Sequence, residues 1–290
     1  MRCACIDIGS NTTRLLVAEC AAGELRELHQ ERAFTRIGRA LTDAGAIAAE
    51  KIDEVAIVVA RQLAIARALG ATEVRAVATA SVRRASNSAA LAVAIAGSCA
   101  LTVQVLSEQE EARLAFVGAG RALSAGGGEL GVVDVGGGST ELAVGTPPDR
   151  VRWSASLPVG SGNLTDRFLT RDPPNAAELA DAQAFVAAEL AAVAVSPPAR
   201  AVAVGGSATS LSWLTGGALG GEALARALAQ LTRSPALAVA AQTGLDPERV
   251  RLLPAGLVIL QAVGERLGVP LAVGRGGIRE AIVLEIAAGR

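Results

Sequence analysis

One segment of this chain occurs twice. A shift of 127 positions places Asp7 on Asp134, Gly9 on Gly136, Thr13 on Thr140, Leu15 on Leu142 and Val17 on Val144. Each copy reads as an apolar strand ending in an acid, a turn rich in glycine or hydroxyl residues, and a returning strand. A repeat of that length predicts two similar halves, each opening with a hairpin. The 290 residues have room for both, since a domain takes ~100–200 residues. The run Gly126-Gly127-Gly128 marks a break, giving domains 1–124 and 125–290, with the last helix able to pack back on the first domain.

Between and after the hairpins, the pattern alternates strand and helix. Helical spacing runs through 43–69, 88–97 and 108–118, with strands at 74–79 and 104–106. The first hairpin uses strands at 3–7 and 14–20, the second opens at 130–133, and Pro147-Pro148 ends it. Helices follow near 176–195, 222–231 and 278–288, with a strand at 201–204. The fold class is therefore α/β.

Hydrophobic residues make up 51% of the chain, enough for a substantial core, and the formal net charge is -1. That balance excludes a strongly basic nucleic-acid binder and an acidic disordered tail. A membrane-spanning helix needs ~20 apolar residues in succession. The run 186–198 is short and interrupted by Glu189, and the start Met1-Arg2-Cys3-Ala4-Cys5-Ile6-Asp7 reaches an acid at once. The expectation is a soluble cytoplasmic protein without nucleic-acid or membrane partners. Cys3, Cys5, Cys20 and Cys99 show no metal-ligand spacing and read as small core residues. His29 is the only histidine. It reads as a surface or loop residue, and its solitude argues against histidine triads and HExxH metal sites.

The two turns carry the chemistry. Ser10, Thr12 and Thr13 follow Gly9 in the first; Gly136, Gly137, Gly138, Ser139 and Thr140 form the second. Glycine lets backbone N–H groups approach an anion closely, and consecutive inward N–H groups form an anion nest. Two matched loops, each behind an acid, read as a clamp on phosphate, with Asp7 and Asp134 holding a divalent cation that neutralises phosphate oxygens. No GxxxxGK[ST] and no strand-to-helix GxGxxG occurs, so neither a P-loop nor a dinucleotide fingerprint is present. Hydrolysis also needs a carboxylate to handle water. Glu108, Glu110 and Glu111 stand together at a predicted helix start, and spacing alone does not choose among them.

At Asp7-Ile8-Gly9-Ser10-Asn11-Thr12 and Asp134-Val135-Gly136-Gly137-Gly138-Ser139-Thr140-Glu141 the chain resembles the Ppx/GppA phosphatases, the exopolyphosphatases and guanosine pentaphosphate phosphohydrolases. The segments 78–83, 110–114, 156–160, 205–209 and 276–280 resemble that family too, in order along essentially the whole chain. The resemblance implies two ribonuclease-H-like domains of the actin-like ATPase superfamily around a central cleft. It implies that Glu111 activates water, and that Arg83, by itself an ordinary loop charge, reaches toward phosphate as a catalytic and binding residue. Gly9, Ser10, Asn11, Thr12, Gly136, Gly137, Gly138, Ser139 and Thr140 would bind phosphate, joined by Gly206 and Ser207 of a third glycine-rich motif. Asp7, Asp134 and Glu141 would hold Mg²⁺ or Mn²⁺.

The implied activity is hydrolysis of the terminal phosphate of inorganic polyphosphate. Conversion of pppGpp to ppGpp is the nearest alternative. A small-molecule kinase and a non-catalytic polyphosphate or nucleotide binder are further ones. Family members often dimerise, which suggests a homodimer. The helical domains that follow in long members have no counterpart in this sequence, which puts processive action on long chains in doubt. The segment 216–226 lacks a histidine that many members carry, and Arg251 stands where many have aspartate.

Overall fold

A computed structural model describes residues 1–21, 23–42, 44–123 and 127–290. These group into two compact units, Met1–Leu114 with Ile278–Arg290, and Ala115–Gly277. The sequence-based boundary at 124/125 lies among residues outside those described. The units divide instead at Leu114/Ala115, and the final helix groups with the first.

In the first unit, β1 (Arg2–Ile8), β2 (Thr13–Ala21) and β3 (Glu24–Ala33) form an antiparallel meander. β4 (Glu73–Ala78) and β5 (Val103–Val105) extend it in parallel, giving the order β3-β2-β1-β4-β5. Side chains alternate across a strand, so Ala4, Ile6 and Ile8 face one way and Cys3, Cys5 and Asp7 the other. The first set packs with Leu15 and Val17 against α1 (Ala49–Ala68) and α3 (Ser88–Cys99), through Val55, Val59, Leu63, Leu91 and Ile95. The opposite face is covered by the closing helix α11 (Ile278–Ala287), whose Val283 carbonyl accepts from Cys20. The short α2 (Ala80–Arg84) follows β4, and α4 (Glu108–Ala122) begins in this unit.

The second unit repeats the plan. β6 (Leu130–Val135), β7 (Thr140–Thr146) and β8 (Arg150–Leu157) form the meander, β9 (Arg200–Val204) and β11 (Leu271–Val273) the parallel extension, and β10 (Ala218–Leu219) an added edge. The order is β10-β11-β9-β6-β7-β8. The helices are α5 (Ser161–Phe168), α6 (Ala176–Ala191), α7 (Gly205–Thr215), α8 (Gly221–Leu231), α9 (Ala236–Thr243) and α10 (Pro247–Leu267). The buried α10 supplies Leu253, Leu257, Leu260 and Val263 to the core.

The duplication holds in register. Asp7 pairs with Arg14 where Asp134 pairs with Glu141, and the bulge after Val17 recurs after Val144. Each unit has a ribonuclease-H-like topology.

Several expectations need correction. Pro147-Pro148 ends the β6–β7 hairpin as expected, but the chain then turns into β8, a strand missed along with β3. The helix expected over 43–69 starts at Ala49, because Ile47 is held extended: it bridges Leu41, and Asn87 bonds both its N–H and its C=O. His29 lies half-buried in β3, not in a loop. Cys3, Cys5 and Cys20 are buried as expected, but Cys99 only partly.

Candidate active site

In the first unit the loop after β1 closes with the Gly9 N–H donating to the Thr12 carbonyl at 3.0 Å. A Cβ at Gly9 would sit 3.1 Å from that oxygen. The outer carbonyls are spoken for: Ser10 O accepts from Gly38 N and Asn11 O from Arg36 N, both at 2.9 Å. In a trans peptide the C=O and the next N–H point opposite ways, so the N–H groups of Asn11 and Thr12 turn away from that support. Ser81 of α2 adds a 2.6 Å hydroxyl bond to Ser10, and Thr13 meets Thr35 at 3.0 Å. Arg36 holds a left-handed backbone, φ 48°, which sharpens the turn that delivers these donors.

The three glutamates at the start of α4 separate clearly. The Glu108 side chain is 57% exposed, and Glu110 is engaged on the surface by Arg113 at 2.7 and 3.0 Å. Glu111 is 2% exposed, and its Oε1 is bonded by the Arg83 guanidinium. Arg83 also donates to the Leu106 carbonyl at 2.7 Å. One oxygen of a buried carboxylate is thus fixed by a charge-assisted bond, which orients the group.

Asp7 lies beneath the loop, with Oδ1 buried and without a hydrogen-bond partner. Burial pushes its carboxyl above the usual range, opposed by the Arg279 and Arg14 charges. Arg14, directly across from Asp7, has its guanidinium pushed down to about 9, first by burial and then by Arg279 and Arg32.

The second unit's loop is built the same way. Gly136 N donates to Ser139 O at 3.0 Å, and a Cβ at Gly136 would sit 3.1 Å from that oxygen. Its carbonyls are taken by the start of α5: Gly136 O by Ser161 N at 2.9 Å, Gly137 O by Gly162 N and Asn163 N at 2.9 and 3.1 Å, and Gly138 O by Asn163 Nδ2 at 3.1 Å. Thr140 is turned inward, donating to Val159 O at 2.6 Å.

Here the acid's cross-strand neighbour is a second acid. Glu141, buried and accepting from Ser156 Oγ at 2.9 Å, stands opposite Asp134. Like charges in directly opposed positions repel, so this pair suits a cation. The third motif opens α7. Gly205, at φ 84°, passes close to Asp134 Oδ1, where a Cβ would overlap the carboxylate. The Arg249 guanidinium lies 2.8 Å from the position a Gly206 Cβ would take. The Ser207 hydroxyl is buried against Gly256, so this residue offers its backbone rather than its side chain.

Among the described residues, no three His, Cys, Asp or Glu side chains gather as a metal-binding group, and no helix is long and apolar enough to cross a membrane. Within the first unit, the structure brings Glu111 to Arg83 and Ser10 to Ser81. Within the second, it brings Asp134, Glu141 and Gly205 together. Sequence reasoning missed Gly38, Arg36, Asn163 and Arg249. Asn163 stands three residues after Gly160, at a spacing that signals a helix start; the other three lie far along the chain from what they touch.

Comparison with known proteins agrees with this architecture. The family model described as the Ppx/GppA phosphatase family matches residues 16–288. Exopolyphosphatase 2 of Mycobacterium tuberculosis is 31% identical, covering 99% of this chain and 98% of that protein. Exopolyphosphatase 1 of Mycobacterium bovis is 28% identical, covering 98% and 88%. The crystal structure of the Aquifex aeolicus Ppx/GppA family member superposes with a TM-score of 0.83 at 28% identity, covering 100% of this chain and 98% of that one. The chain belongs to the Ppx/GppA phosphatase family.

Proposed function

We propose that this protein is an exopolyphosphatase that removes the terminal phosphate of linear inorganic polyphosphate. What carries the proposal is the Glu111–Arg83 pair, a buried and oriented carboxylate in the unit that also bears the Gly9–Thr12 loop. Glu111 takes a proton from water as the water oxygen attacks the terminal phosphorus. The bond from that phosphorus to the bridging oxygen breaks, the bridging oxygen leaves with the shortened chain, and orthophosphate is released. Arg83 holds Glu111 in place and lends positive charge near the transferred group. The backbone N–H groups of the Gly9–Thr12 loop bind phosphate oxygens, and the Gly136–Thr140 loop of the second unit presents donors of the same kind. Such catalysis is largely positioning and charge stabilisation.

The donor set fits a hard divalent cation, Mg²⁺ or Mn²⁺. Asp134 and Glu141 are opposed carboxylates within the second unit. This pair would hold the ion, which when bound neutralises phosphate charge.

The test is orthophosphate release from polyphosphates of several lengths, with pppGpp in parallel, after chelation and after restoring Mg²⁺ or Mn²⁺. The expected result is metal-dependent release from polyphosphate. Turnover of pppGpp alone would move the assignment to the nucleotide substrate.

A further inference from the structure

The second phosphate loop depends on a residue that touches no reacting atom. Asn163 is the third residue of α5, and its side chain makes three hydrogen bonds. Its Oδ1 accepts from Gly160 N at 2.7 Å; its Nδ2 donates to Gly138 O at 3.1 Å and to Pro158 O at 3.0 Å. Its own N–H donates to Gly137 O at 3.1 Å. One residue therefore fixes two consecutive loop carbonyls and both sides of the segment that packs on them.

The packing leaves no slack. A Cβ at Gly160 would lie 2.5 Å from Gly137 C and Gly138 N, so backbone meets backbone there. Because each carbonyl held toward α5 turns the following N–H the other way, fixing Gly137 O and Gly138 O sets the direction of the N–H groups of Gly138 and Ser139. The first loop gets the same service from backbone alone, through Gly38 N and Arg36 N. Among the described residues, a side chain holds loop carbonyls only in the second loop.

We infer that Asn163 is a positioning residue that aims the N–H groups of the second loop at substrate phosphate. This rests on the proposal that the loop binds phosphate, and it predicts an effect on substrate binding rather than on the chemical step.

The test is Asn163→Asp. The carboxylate keeps the bond from Gly160 N but loses both donations and faces two carbonyls. An acid in the first turn of a helix is favourable, so the variant folds with a melting temperature near that of the wild type. With tripolyphosphate, KM should rise about tenfold, the scale of one or two lost hydrogen bonds, while kcat stays within about threefold. Hydrogen exchange across 136–141 should quicken. Unchanged KM together with unchanged exchange overturns the inference, as does a lowered melting temperature with KM unmoved. Should the wild type release no phosphate from tripolyphosphate, the substrate assignment fails by itself, and exchange decides the role of Asn163: faster supports it, unchanged overturns it.

Discussion

Glu108, Glu110 and Glu111 carry the same functional group, and the helix gives each a different task. Successive helix residues point about 100° apart, so one turn presents a solvated charge, a surface ion pair and a buried carboxylate. Strand pairing makes a similar distinction between the two hairpins. Asp7 faces Arg14, a cation supplied by the fold; Asp134 faces Glu141, a second negative charge. Under the proposed function, the second pair is where a cation would bind. Replacing Glu141 by Gln should therefore weaken the apparent Mg²⁺ affinity for activity by about tenfold or more, the scale of removing one well-placed charge. In metal-free buffer, the melting temperature should hold or rise, because a like-charge repulsion is relieved. A metal titration of phosphate release and a melting curve check both halves; an unchanged metal requirement contradicts this role for Glu141.

At the scale of elements, the proposed mechanism requires the start of α4 to stay in place. Arg113 ties it down. Its guanidinium bonds Glu110 twice and reaches Glu285 of α11 at 2.7 Å, within the first unit. The Arg113 bonds hold the Glu110 carboxyl below the usual range. A carboxyl lowered in the folded state adds stability above its unfolded value, and that stability is lost as pH falls through the folded value. The pair is partly solvated, so the effect is modest. Arg113→Met should lower the melting temperature by about 2–4 °C at pH 7, with the gap closing as pH drops toward 3. A gap that persists in acid would mean that the loss is packing rather than charge.

The paired hairpins and most helices of the first unit could be read from residues alone, because the acids and turns recur at a constant shift; α5, α7, α9 and α10 of the second unit were not read. β3 could not: Glu24–Ala33 is an edge strand with charges on both faces, and it lacks the alternation that marks a half-buried strand. The loops themselves were readable, since glycine and hydroxyl residues have few other reasons to cluster behind an acid. Their supports were not. Gly38 and Arg36 reach the first loop from more than twenty residues away in sequence, and Arg249 reaches Gly206 from more than forty, so only the fold brings them together. Spacing did not choose Glu111 over its neighbours; the family resemblance did, and in the structure it is the buried one of the three acids.

The whole molecule is one plan used twice and then specialised. Both units present a turn whose carbonyls are tied back, but the first adds Glu111 and Arg83 while the second adds the Asp134–Glu141 pair. Division of labour between duplicated units explains why neither hairpin by itself identifies the reaction. It also makes one side chain decisive. Glu111→Gln preserves shape and keeps an acceptor oxygen for Arg83, so the variant should fold with little change in its melting curve. Loss of a general base typically costs 10²–10⁴-fold. Orthophosphate release from short polyphosphate with saturating Mg²⁺, measured for wild type and Glu111→Gln side by side, tests this most directly. A fall in kcat of about a hundredfold or more in a folded variant is the predicted result; turnover near the wild-type rate would contradict it.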